Sequence, residues 1–290
     1  MPDRDPPALR VILAQVRHHN RTFWRNPLSA FYTAGFPLIL LLILGLLFGG
    51  EHIIVGETWV GEPVPGSVPF AQIITPAIAA YAVAMAGYVH VAGATAADRA
   101  DGTLKRLRGT PLPLWAYLAG RILAAIWIAT LTSLVVIASG AVFTQMEVSW
   151  RGVPAALVTM VVGAVGFAAL GLMLVALVRP GSVQAVAFAT LLPLAFISEI
   201  FIQEPLPSGV SAVASAFPLR HLGVSLREAL NPDVAGAGFN WSGLGVITVW
   251  GVGSALVALL RFSWDPVAQP RTRLGRRYLP ANDGVMGQGR

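Results

Sequence analysis

The sequence predicts an all-α integral membrane protein with about six transmembrane helices, an interfacial amphipathic helix ahead of the first and a re-entrant helical segment before the last. Three observations carry this. The 290 residues are 55% hydrophobic and 12% charged, with a mean hydropathy of +0.67, whereas soluble domains carry about 25% charged residues. Six segments are long and apolar enough to cross about 30 Å of hydrocarbon, which takes roughly 20 residues of helix. The basic residues also fall unevenly along the chain.

The spans are placed near 31–49, 70–97, 115–143, 153–178, 183–202 and 242–262. They form one permease domain of residues 1–290 with a basic tail at 263–290. The second and third are long enough to tilt or to project from the bilayer. Pro37, Pro76 and Pro193 sit inside spans, where proline kinks a helix and neighbouring groups satisfy the freed carbonyl. About 30 polar and amphipathic residues precede the first apolar run, so the sequence does not read as starting with a cleaved signal peptide.

Orientation follows from the arginine bias. Seventeen of the twenty Lys and Arg fall in 1–30, 98–121, at Arg179 and from Arg261 onward; only Arg151, Arg220 and Arg227 fall on the other side. The loop 50–69 has no Lys or Arg and three Glu. The positive-inside rule puts both termini in the cytoplasm of a bacterial cytoplasmic membrane.

Three segments outside the spans are informative. Over 8–26, Leu9, Ile12, Leu13, Val16 and Phe23 recur at helical spacing, with Arg10, Arg17 and Arg21 on another face. A basic amphipathic helix beside a span lies in the membrane interface, in contact with membrane lipids. The loop 98–114 predicts a short helix capped by Asp101 or Thr103 and stopped by Gly109 and Pro111. Leu104 and Leu107 share one face, with Lys105, Arg106 and Arg108 around the rest. That knob reads either as a solvated basic loop or as a docking element. Over 204–241, Leu219, Leu222, Leu226 and Leu230 predict an amphipathic helix at, or dipping into, the outer membrane surface.

Motifs of chemistry are missing. The single lysine, Lys105, belongs to no phosphate loop, so ATP is not expected to bind in the usual way. There is no cysteine and no H-E-x-x-H spacing, no metal site is expected, and no nucleophile elbow is present. The basic residues lack the clustering of a nucleic-acid surface. Gly45-x-x-x-Gly49 matches the helix-association pattern, a weak signal in a glycine-rich span. Intramembrane polar residues are few. His90, with Tyr81 and Tyr88, reads either as a neutral histidine bonded to a neighbouring helix or as a polar wall of a substrate path. Arg121 and Glu199 lie near span ends, within reach of the interface. No titratable chain crosses the bilayer, which disfavours an ion-coupled carrier.

Four stretches together resemble a known family. Arg25-Asn26-Pro27-Leu28 precedes a span with Phe36-Pro37-Leu38. Ile74-Thr75-Pro76-Ala77 leads through the second span into Asp98-Arg99 and then Gly102-Thr103-Leu104-Lys105-Arg106-Leu107 with Thr110-Pro111. Arg179-Pro180 forms a short turn, and Phe217-Pro218-Leu219-Arg220-His221 with Leu226-Arg227 precedes the last span. This pattern, over most of 8–262, resembles the permease subunits of type-2 ATP-binding-cassette exporters of the drug- and antibiotic-resistance kind. The family often has Glu on both sides of the loop arginine, where this chain has Ala97-Asp98 and Ala100-Asp101.

The resemblance implies that Asp98, Arg99, Asp101, Gly102, Thr103, Leu104, Lys105, Arg106, Leu107, Thr110 and Pro111 form a coupling helix docked on a separate ATPase subunit that holds the ATP and magnesium. It implies a second permease copy, identical or a paralogue, with the second and fifth spans lining the path. Tyr81, Tyr88, His90 and Glu199 are then path candidates, and Phe217, Pro218, Arg220, His221 and Arg227 outer-gate candidates. The expected function is export of a hydrophobic or amphipathic small molecule (drug, antibiotic or lipid), with no catalysis in this chain. The alternatives are an ATP-independent secondary carrier, or the same family exporting a glycan or a heme-related cargo.

Overall fold

A computed structural model describes residues 8–48, 51–53, 60–61, 67–109, 114–144, 146–198, 200–201 and 208–261. The chain is an all-α integral membrane protein with six helices long and apolar enough to cross a membrane: Pro27–Phe48, Phe70–Ala100, Trp115–Phe143, Trp150–Leu177, Pro180–Ile197 and Trp241–Arg261. The interfacial helix is Ala8–Arg25. Thr103–Arg108 forms a short loop helix, and Ser208–Ala216 and Pro218–Leu230 form a helical hairpin before the sixth span. Three two-residue antiparallel strands, His52–Ile53 flanked by Val60–Gly61 and Val68–Pro69, add a small ribbon after the first span. The interfacial helix and the loop helix lie at the same end of the bundle, the basic end.

Local chemistry sets several boundaries that hydropathy alone misplaces. The first span starts at Pro27, four residues before its expected start, because Asn26 Oδ1 accepts the Ser29 amide at 3.1 Å and proline suits the first helical turn. The fifth span starts at Pro180 for the same reason about proline. It stops at Ile197, short of the expected 202, where the Ser198 amide bonds Leu194 O and the Ile200 amide bonds Ala195 O. The second span runs three residues past its expected end and carries Asp98 and Arg99 on helix. At 31 residues it is about 46 Å long and exceeds the hydrocarbon thickness.

The second span is the axis of the bundle: 94% of its apolar window is buried, against 22% for the first and fifth spans. Its side chains are small over long stretches, with Ala77, Ala79, Ala80, Ala82, Ala84 and Ala86 all buried. Neighbouring backbones therefore come close. A Cβ on Gly171 of the fourth span would lie 2.8 Å from the Tyr88 carbonyl oxygen and 3.2 Å from that of Gly87. At this crossing the second span opens into a π-turn over Met85–His90. One added residue in the turn rotates the remainder of the span by about 100° relative to a regular helix. Ser133 of the third span donates to Ala79 O at 2.9 Å, tying a third helix to the axis.

The Gly45 pattern serves a contact inside the chain. A Cβ on Gly45 would collide with Thr144, the residue just past the third span. The hairpin helix Pro218–Leu230 turns its leucine face onto protein. Leu219, Leu222, Leu226 and Leu230 are buried, and the helix packs on the second, fourth and sixth spans. Amphipathic spacing shows which face is apolar; it does not say whether lipid or protein covers it. Large apolar side chains exposed on the first, third and sixth spans, such as Leu46, Val142 and Leu260, form the surface expected to meet lipid. Exposed tryptophans mark both ends, with Trp24 and Trp115 at the basic end and Trp150 and Trp241 at the other.

Gly171→Leu is expected to cost about 1–3 kcal/mol of stability through overpacking, read as a lower thermal unfolding midpoint in detergent. Gly253→Ala, where a Cβ meets nothing within 4 Å, is expected to leave that midpoint unchanged or slightly raised.

Candidate functional site

The functional features gather at the basic end. The second span ends where Gly102 adopts φ +68°, a left-handed conformation that glycine takes without a Cβ penalty. That turn sends the chain into the loop helix. The Arg106 amide bonds Gly102 O at 3.0 Å, and the Arg106 guanidinium reaches Thr103 Oγ1 at 3.3 Å.

The loop residues divide into two sets. Asp101 and Arg106 are exposed, and Thr103 and Leu107 half-buried. Leu104 is fully buried within the chain, so it anchors the helix to the bundle; the expected leucine face toward a partner is corrected on this point. Arg99 is also turned inward: it is 7% exposed and donates to Val175 O, at the end of the fourth span, at 3.0 Å. Asp98 pairs with Arg121 of the third span and accepts from Tyr117 Oη at 2.7 Å, while Arg121 also donates to Tyr117 Oη at 2.9 Å. Asp98 and Arg99 thus join the loop base to the third and fourth spans; neither is a free docking charge. Thr110 and Pro111 lie outside the described residues, as does the side chain of Lys105.

The interfacial helix closes over this network. It packs on the third span, where a Cβ on Gly120 would collide with Gln15. His19 and Phe23 are its buried side chains. The His19 ring stands edge-on to Tyr117 at 5.4 Å. Burial first, then the Arg121 guanidinium and more weakly His18 and His90, push the His19 pKa from 6.5 down to about 2. His19 is thus a neutral imidazole at physiological pH.

Beside the network lies a cavity of about 600 Å³ between the interfacial helix and the first, second and fifth spans. His90 is on its wall, with Nδ1 3.0 Å from Ser29 Oγ and its ring against Phe23 at 4.8 Å. The path candidates that the sequence groups together face different surroundings, as expected for His90, which lies about 200° round the helix from Tyr88. Tyr81 is buried, edge-on to Phe36 and Phe201. Tyr88 meets Thr190 Oγ1 of the fifth span at 2.9 Å on a different cavity of about 380 Å³. Glu199 is outside the described residues.

At the opposite end, the gate candidates are held by contacts within the chain. Phe217 stacks on Trp250, whose Nε1 donates to Ala216 O at 2.7 Å. Pro218 opens the second hairpin helix, Arg220 donates to Ser211 O and Oγ, and His221 Nε2 donates to Ser215 O at 2.7 Å. Arg220 and Arg227 line one small crevice. Sequence reasoning missed His19, Tyr117, Gln184 and Trp250. His19 and Phe23 fall four apart on one side of the interfacial helix, which is the signal that could have found the first.

A six-span bundle with a fastened loop helix at one end defines a multi-pass membrane protein. The chain belongs to the ABC-2 type transporter family, whose sequence model matches residues 10–231. It is also similar to the daunorubicin resistance ABC transporter permease protein DrrB1 of Streptomyces coeruleorubidus, at 29% identity over 208 residues. That match covers 67% of this chain and 66% of the relative, just under two thirds of its length.

Two outcomes are expected. Arg121→Gln and Asp98→Asn each lower stability by about 1.5–3 kcal/mol, and the double variant loses less than the two together, measured as an unfolding cycle. For His19, the unfolded chain takes up a proton below pH 6.5 that the fold refuses. Its stabilising contribution is therefore complete above pH 6.5 and falls toward pH 2, by at most about 1.4 kcal/mol per pH unit. His19→Phe is expected to flatten the loss of thermal stability between pH 6.5 and 5.

Proposed function

We propose that the chain is the membrane subunit of an ATP-driven exporter, with both termini in the cytoplasm, carrying a hydrophobic or amphipathic small molecule out of the cell. The single observation that carries this reading is the mounting of the loop helix. It offers Asp101 and Arg106 outward, while Leu104, the Arg99–Val175 bond and the Asp98–Arg121 pair fix its base to three spans. A partner pressing on the exposed side would displace the ends of the second, third and fourth spans together, the rigid-body movement that alternating access requires.

The source of force is a separate ATPase subunit, since the sequence has no phosphate loop. A second permease copy would complete the path. The first and fifth spans, each with little of its surface buried in one chain, have face to spare for it. The arginine bias supports the orientation, and the similarity to a daunorubicin resistance permease supports a drug-like cargo. A glycan or heme-related cargo is the alternative within the family.

The test is co-purification from native membranes. The wild-type chain is expected to bring down a nucleotide-binding ATPase. Arg106→Glu, on an exposed position, is expected to lower that recovery about tenfold or more with unchanged yield of the chain, since reversing a charge at an interface costs several kcal/mol. Full recovery with Arg106→Glu would move the docking surface elsewhere. A wild-type chain that recovers no ATPase, under conditions preserving other complexes, would favour a stand-alone carrier. Leu104→Asp is not suited to this purpose, because burying a charge there would unseat the helix itself.

A further inference from the structure

We infer that the groove between the third and sixth spans is a binding site for an anionic phospholipid of the leaflet at the basic end, which lays one acyl chain in the groove. The site follows from the membrane fold and stands apart from the exporter reading.

The groove exists because two spans flank a third. The third and sixth spans both pack along the fourth. The sixth crosses the fourth at Gly251 and Gly166, so closely that a Cβ on Gly251 would lie 3.0 Å from the Gly166 Cα. Beside that crossing a cavity of about 560 Å³ opens. Ala169 and Leu172 of the fourth span form its floor, with Leu118 and Ile122 of the third and Ala255 and Leu259 of the sixth as walls. The volume is that of a ligand pocket, and no residue of the first or fifth span lines it.

The lining selects a hydrocarbon chain. Its one polar side chain is Thr248, whose hydroxyl donates to Leu244 O at 2.7 Å within its own helix. A molecule with polar groups to satisfy finds no side-chain partner here, whereas an acyl chain needs none. The length fits as well. From Thr248 to Leu259 the sixth span rises about 16 Å at 1.5 Å per residue. One leaflet supplies half of a hydrocarbon core of about 30 Å, or roughly 15 Å. The groove thus runs from the basic end to the middle of the bilayer, the depth an acyl chain reaches.

The mouth supplies contacts for the headgroup. Trp115, one turn before Leu118 on the same face of the third span, is 53% exposed. An indole at this depth keeps its ring among acyl chains and its N–H toward the headgroups. Arg179 lies just past the fourth span, and Arg261 ends the sixth. Both are exposed, and neither makes an ion pair or a side-chain hydrogen bond among the described residues. Two guanidiniums on flexible stems beside an apolar slot suit a phosphate that carries an acyl chain. A second copy is a poorer occupant: a two-fold interface through the groove would press two basic mouths together.

The measurement is native mass spectrometry of the full chain in detergent, titrated with dioleoyl phosphatidylglycerol or dioleoyl phosphatidylcholine. Wild type is expected to retain one phosphatidylglycerol about tenfold more tightly than phosphatidylcholine. Ala255→Phe fills the groove and is expected to weaken retention of both lipids about tenfold. Leu259→Trp, on a position 68% exposed, narrows the mouth without touching the core and is expected to weaken it about threefold. Val249→Phe adds bulk on the sixth span outside the groove, at 72% exposure, and is expected to change nothing. The double variant Arg179→Gln, Arg261→Gln is expected to bring phosphatidylglycerol down to the level of phosphatidylcholine.

Thermal unfolding midpoints in lipid-free detergent check that each variant folds, and Leu259→Trp carries the test if Ala255→Phe does not. No lipid retained by wild type, or retention unchanged in both groove variants, would overturn the site. Retention lowered equally by Val249→Phe would also overturn it, since the lipid would then lie elsewhere on the sixth span. A preference for phosphatidylglycerol that survives loss of both arginines would overturn the headgroup assignment. A dimer that Ala255→Phe converts to monomer, with lipid retention unchanged, would give the groove to a second copy and overturn the lipid. None of these outcomes depends on an ATPase or on transport, so the site and the exporter reading stand or fall separately.

Discussion

The structure depends on burying one helix almost whole. A span surrounded by protein on nearly every side cannot carry large side chains all round, because neighbouring helices pack 8–10 Å away. The second span meets that constraint with a run of alanines and with Gly87 at its closest crossing. In lipid no hydrophobic force pulls helices together, so close packing between small residues supplies the association energy. The first, third, fourth and fifth spans and the hairpin pack around this axis, the sixth span is held against the fourth and the hairpin, and the π-turn sits where the fourth span's backbone comes nearest.

The same economy of side chains creates the cavity. Where neighbours close on the axis, small residues give a tight core. Toward the basic end the fifth span stays in contact with it but the first span stands off, and the same residue types leave room between them. Packing and pocket are thus two results of one sequence feature, distinguished only by what lies opposite. The polar groups around the pocket come from elements far apart in sequence: His19 from the interfacial helix, Ser29 from the first span, His90 from the second and Gln184 from the fifth.

The basic end also concentrates the charged contacts. Asp98, Arg121 and Tyr117 link the second span to the third, Arg99 links it to the fourth, and His19 lies against Tyr117 from the interfacial helix. A loop helix mounted on this cluster cannot move without carrying three spans. At the other end the Phe217–Trp250 stack and the Trp250 bond to Ala216 O hold the hairpin to the sixth span. The molecule therefore has one firm attachment at each end of its axis, with the longest helix between them.

Much of the architecture was legible without coordinates. Apolar runs of 18 or more residues determined the helical membrane class, since only a helix satisfies its own backbone in hydrocarbon. Amphipathic spacing determined the interfacial helix and the leucine face of Pro218–Leu230, and glycine and proline marked the loop helix. Tertiary structure decided what those faces meet. It turned Leu104 and Arg99 inward, placed protein against Leu219 and Leu222, and set Gly45 against Thr144. It also opened a π-turn over Met85–His90, which has no sequence signature. The physical reason is range: hydropathy and periodicity report the preference of a residue for water or oil along its own helix. The identity of its neighbour depends on which backbones come close, a property of the whole bundle.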